Sequence, residues 1–96
     1  MTVDELRAKL APHRDELAAM GVRSLSVFGS TARGEATAES DVDMLVDLDP
    51  GLGLLEFIGV KHYLEDLLER PVDLVETEAL RPDMRAEVLR EALRAA

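Results

Sequence analysis

Phe28-Gly29-Ser30-Thr31-Ala32-Arg33-Gly34, six further residues, and then Asp41-Val42-Asp43 at the head of the apolar run Met44 to Leu48: the reading of this stretch decides the fold. A glycine turn that leaves a strand offers backbone N–H groups to a chain of phosphates. Two aspartates spaced i, i+2 on the next strand point to the same face, with Cα atoms about 6–7 Å apart. Their carboxylates supply the hard oxygen donors that a divalent cation takes. Read separately, the turn can be a plain turn and the aspartates solvated residues at an edge strand. Read together, they suggest a nucleoside triphosphate site.

Working outward, Val22 to Phe28 alternates Leu25 and Val27 with Ser24 and Ser26, the period of a half-buried strand that ends at Gly29. Ser30 to Ser40 reads as a loop with one helical turn at Thr31 to Gly34, and Val42 to Leu48 as the second strand. Asp49-Pro50-Gly51-Leu52-Gly53 forms a turn cluster. Beyond it Leu54, Phe57, Ile58, Val60, Leu64, Leu67 and Leu68 recur at helical spacing, the strongest helix signal in the chain. Arg70-Pro71 stops that helix, and Val72 to Glu76 is a short third strand.

At the N-terminal side, Thr2 with Glu5 has the form of a capping box that starts a helix at Val3. Pro12 predicts a kink or a second short helix carrying Leu17 and Met20, and Gly21 the stop. A last helix begins near Pro82 and carries Met84, Val88, Leu89, Ala92 and Leu93. The order helix, strand, loop, strand, helix, strand, helix predicts an α+β fold in one domain over residues 1–96: a small mixed sheet with helices mainly on one face. The other face is then free for a site.

Composition narrows the function. Twenty Asp and Glu against 11 Lys and Arg give a net charge of −9, which repels nucleic acid and anionic membranes, so neither is an expected direct partner. The absence of cysteine excludes disulfides, thiolate zinc sites and thiol catalysis. No apolar run approaches the roughly 18 residues of a membrane span, and the acidic N-terminus is unlike a secretion signal, so the expected compartment is the cytoplasm.

Two familiar motifs fail on inspection. Gly29 to Gly34 has Walker A glycine spacing, but Glu35-Ala36 stands where Lys and Ser or Thr must follow. The run Asp43, Asp47, Asp49 lacks the spacing and closing Glu of a calcium loop. Asp73 is more telling, because aspartate inside Val72-Asp73-Leu74-Val75 opposes strand propensity; it is either a strand-end residue in water or a third metal ligand. Arg33 either contacts phosphate or pairs with Glu35, and Ser40 either bonds nucleotide or caps its loop. His13 and His62 are not expected to be ligands, and Tyr63 is expected to be a packing residue.

Gly29-Ser30, ten residues, Asp41-Val42-Asp43, within Phe-Gly-Ser-x-Ala-Arg-Gly and Ser-Asp-x-Asp, resembles the nucleotidyltransferase superfamily of the DNA polymerase β type, and most nearly its minimal nucleotidyltransferase branch. Val72 to Val75 and the Arg81-Pro82 helix start extend the resemblance over nearly the whole chain. Thr31 departs from it, standing where many relatives carry a basic residue. The resemblance implies Gly29, Ser30, Arg33 and Ser40 on the triphosphate of ATP and Asp41 and Asp43 on two magnesium ions, with Asp73 a third ligand or general base. It implies as function the antitoxin half of a toxin–antitoxin pair, which moves AMP from ATP to a tyrosine of a helical HEPN ribonuclease toxin in a hetero-oligomer. A catalytically idle antitoxin that blocks by binding and a small-molecule nucleotidyltransferase are the alternatives.

Overall fold

The computed structural model describes residues Met1 to Ala96. Of the predicted capping box one bond forms: the Glu5 N–H donates to Thr2 Oγ1 at 3.1 Å and opens α1 (Val3–Leu10). Pro12 falls in a 3-10 turn over Ala11–His13, and α2 (Arg14–Ala19) follows it. Gly21, at φ +91°, turns the chain into β1 (Val22–Phe28). Then come α3 (Gly29–Ala32), β2 (Val42–Leu48), α4 (Leu54–Leu68), β3 (Val72–Glu76), α5 (Pro82–Glu91) and β4 (Leu93–Arg94).

The strands form one mixed sheet in the order β3-β2-β1-β4, with β2 parallel to β3 and the other pairs antiparallel. Period two sorts its faces. Leu25, Val27, Val42, Met44, Val46, Val72 and Leu74 are buried together with Leu6 and Leu10 of α1, Leu17 of α2, and Val60, Leu64 and Leu68 of α4. Helices therefore pack mainly on one face, as expected, while Leu45 is buried on the other. Each buried leucine or valine is worth roughly 1.5–3 kcal/mol of apolar transfer, and this single cluster holds the sheet against three helices.

Two features differ from the sequence reading, and a third lies beyond it. Leu93 is not helical: α5 ends at Glu91, and Leu93–Arg94 pair with β1 as an edge strand. The helical turn of the loop starts at Gly29 rather than Thr31, because a glycine at φ +69° lets the chain bend off β1 at once, and Arg33 N–H then bonds Gly29 O at 3.1 Å. Finally, α5 stays out of the main core. Only Val88 of it is buried, while Met84 and Leu89 remain 46% and 44% exposed.

Candidate active site

β2 is an inner strand, flanked by β1 and β3, and that answers the edge-strand reading of its aspartates. The register places Phe28 opposite Asp43 on one side and Asp73 opposite Asp43 on the other. Alternating with Val42 and Met44, Asp43 faces away from the core side; Asp41 precedes the strand, and Asp73 lies in register beside Asp43. The sheet thus sets Asp43 and Asp73, thirty residues apart in the chain, side by side, with the charge of Asp41 near enough to act on Asp43.

Asp43 is the most confined of the three. It is half-buried, while Asp41 and Asp73 are exposed. Burial pushes its carboxyl above the ordinary 3.8, the neighbouring charges of Asp73 and Asp41 push it further, and the Arg33 guanidinium draws it partly back. The carboxylate also lies against the glycine turn: a Cβ on Gly29 would stand 2.2 Å from Asp43 Oδ2. Position 29 therefore has two reasons to be glycine, a left-handed φ and this close approach.

Arg33 reaches over the same turn. Its Nε donates to Glu35 Oε1 at 3.0 Å, the local pairing open from the sequence, and its Nη1 donates to Glu91 Oε1 at 3.0 Å. Glu91 Oε1 also accepts the Gly29 N–H. Glu91 is the site residue that the sequence did not reveal. It ends a helix with no Gly or Pro stop signal beside it, 62 positions from its partner at Gly29.

Ser30 is half-buried in the first turn of α3. Thr31 is 2% exposed and packs inward, so the departure noted there lies in the interior and not on the phosphate side. Ser40 spends its hydroxyl on its own loop: Oγ accepts the Thr37 N–H at 3.0 Å and lies 3.1 Å from Thr37 Oγ1. Arg70 fixes the same loop by donating to Ala38 O at 2.8 Å, and Val42 N–H bonds Pro71 O at 3.0 Å. Asp41 is thereby presented from an anchored loop. His13 and Tyr63 lie elsewhere, in a hydrogen-bonded group with Glu16.

Hard oxygen donors on one open face suit a magnesium-type ion in kind. As the side chains stand, no three His, Cys, Asp or Glu are gathered closely enough to hold a metal. Clefts of about 430 Å³ at Arg7, Arg14 and Arg94, about 410 Å³ at Met20 and Leu52, and about 430 Å³ at Phe57 and Leu74 contain neither Gly29 nor any of the three aspartates.

A strand, a glycine turn, a carboxylate pair on the next strand and a third carboxylate in register define a nucleotidyltransferase, and the model of the family described as nucleotidyltransferase domain matches residues 10–95. The chain belongs to that family. It is 45% identical over 94 residues to "Protein adenylyltransferase MntA" of Thermococcus cleftensis, covering 97% of this chain and 95% of that protein. A solved structure assigned as a minimal nucleotidyltransferase superposes with a TM-score of 0.83 at 42% identity, covering 97% of this chain and 95% of the other. The MNT antitoxin structure in complex with a tri-AMPylated Shewanella oneidensis HEPN toxin matches with a TM-score of 0.69, over 99% of this chain and 72% of that one. Its identity is 16%, so it is a likeness of fold.

Proposed function

We propose that this chain transfers AMP from ATP to a tyrosine hydroxyl of a helical HEPN-type toxin and acts as its antitoxin. The near full-length likeness to a protein adenylyltransferase carries the reading. In the proposed arrangement the Gly29 N–H, the Ser30 hydroxyl and Arg33 hold the triphosphate, with Ser40 at the loop before Asp41. Asp41, Asp43 and Asp73 would hold two magnesium ions, which when bound neutralise phosphate charge and acidify the attacking hydroxyl.

The chain's own residues then do the positioning. The register of β2 and β3 sets Asp43 beside Asp73, and Gly29 lets the turn approach Asp43 closely. The tyrosine oxygen attacks the α-phosphorus in line, the bond to the bridging oxygen breaks, and pyrophosphate leaves. The proton of the hydroxyl passes to a carboxylate of the acidic face, for which Asp73, the exposed one on β3, is suited as base. Such a reaction draws on ATP and magnesium in the cytoplasm. Leu54 and Leu55, 71% and 83% exposed at the start of α4, supply apolar surface for a hetero-oligomer.

Neutralisation by binding alone is favoured by one observation, that the carboxylates are not gathered for metal. Mass spectrometry of the HEPN partner after incubation with this protein, ATP and magnesium separates the two readings, with an Asp41→Ala, Asp43→Ala variant as control. An AMP adduct that the variant does not produce is the expected result. An unmodified toxin neutralised equally by both proteins establishes binding instead.

A further inference from the structure

The Gly29 N–H and the Arg33 guanidinium already hold an anion, the carboxylate of Glu91. Glu91 is an unlikely neighbour on electrostatic grounds. Its charge adds to those of Asp41 and Asp73 around Asp43, a repulsion that only strong donors offset. Those donors are a backbone N–H freed by the left-handed turn and one edge of a guanidinium. Both are groups on which the reading above seats the triphosphate, and this inference rests on that reading.

We propose that Glu91 is an internal competitor for the phosphate seat: its carboxylate holds the Gly29 N–H and Arg33 while the site is empty, and the triphosphate takes its place on binding. A single N–H cannot donate fully to two acceptors, and two anions on one pair of donors repel each other. A phosphate chain carries more charge and more oxygens than one carboxylate, so it wins the exchange. Glu91 is tethered for a return. It is the last residue of α5, and two positions on, Leu93 pairs with Val27, just before the turn. Displacement therefore swings a carboxylate away from the site while β4 keeps it close.

Isothermal titration of magnesium ATP, and separately of magnesium tripolyphosphate, tests the exchange with wild type and with Glu91→Gln, which keeps the size and one acceptor but loses the charge. Replacing a charge-assisted bond by a neutral one weakens the internal competitor, so the variant binds both ligands at least about five-fold more tightly. Glu91→Ala, which removes the acceptor, binds at least as tightly as Glu91→Gln, and circular dichroism shows that each variant is folded. Equal or weaker binding by a folded Glu91→Gln overturns the proposal and leaves the nucleotide reading intact, making Glu91 a support of the turn. If wild type and variants all fail to bind either ligand, the nucleotide reading falls and this proposal with it.

Discussion

Replacing Gly29 and Gly34 by alanine, one at a time, measures how closely the Asp43 carboxylate rests on the turn. Both glycines have positive φ, +69° and +76°, yet a Cβ at Gly34 meets nothing within 4 Å while one at Gly29 meets Asp43 Oδ2 at 2.2 Å. A left-handed backbone costs a residue with a Cβ about 1–2 kcal/mol, of which roughly 0.5 kcal/mol is offset by the stiffer unfolded chain. Gly34→Ala should therefore lose about 1 kcal/mol, near 5 °C in Tm for a domain of this size. Gly29→Ala carries the same term and must also drive the Asp43 side chain off its rotamer, a further cost of about 1 kcal/mol. Urea unfolding followed by far-UV circular dichroism gives both differences. In an Asp43→Ala background the extra cost at position 29 should vanish, leaving both glycine substitutions equal. Transfer activity should collapse for Gly29→Ala and survive in Gly34→Ala. Equal destabilisation by the two substitutions in the wild-type background, with activity kept in both, would refute the packing of Asp43 on the turn.

Other consequences are open to direct measurement. Asp43→Asn should abolish transfer and raise Tm at neutral pH. A carboxyl whose folded pKa is raised binds its proton more tightly in the folded state, so the ionised form costs stability above that pKa, and the advantage of the variant should fade as pH falls toward 3.8. A Tm difference independent of pH would sink that reasoning. Tyr63 donates to Glu16, which pushes its phenol up to about 12; it is the sole tyrosine in a chain without tryptophan, so absorbance near 295 nm follows it alone. Glu16→Gln should bring the midpoint down toward 10, and an unchanged midpoint would count against the bond. Leu64→Ala, at a fully buried position of α4, should cost about 2–5 kcal/mol by urea unfolding, a loss below 1 kcal/mol being incompatible with that burial.

What the sequence disclosed was local. The alternation at Leu25 and Val27, the helical spacing from Leu54 to Leu68, and the glycine turn followed by Asp41 and Asp43 each depend on near neighbours, and each element formed where its pattern lay. What stayed hidden depends on distant partners. That β2 is central, and so half-buries Asp43, follows from β3 pairing parallel beside it, which no run of residues announces. Leu93–Arg94 is too short for a period of two to show, and with no stop signal the helical spacing of Val88 and Leu89 ran on through it. Glu91 carries no local signal, because its place on Gly29 depends on β4 pairing back along β1.

Where the clefts lie bears on what the acidic face could modify. None of the clefts at Arg7, Met20 and Phe57 opens onto Asp43 or Asp73, so under the proposed function the shape of an acceptor would be read by the docked surfaces rather than by one of those clefts. Discrimination would then reside in how long a protein stays docked, and the proposed tyrosine would be chosen by where its own surface presents it. Asp41 and Asp73 are exposed to water, so under the proposed function the isolated protein should turn ATP slowly into AMP and pyrophosphate, and a well-fitted partner should suppress that leak.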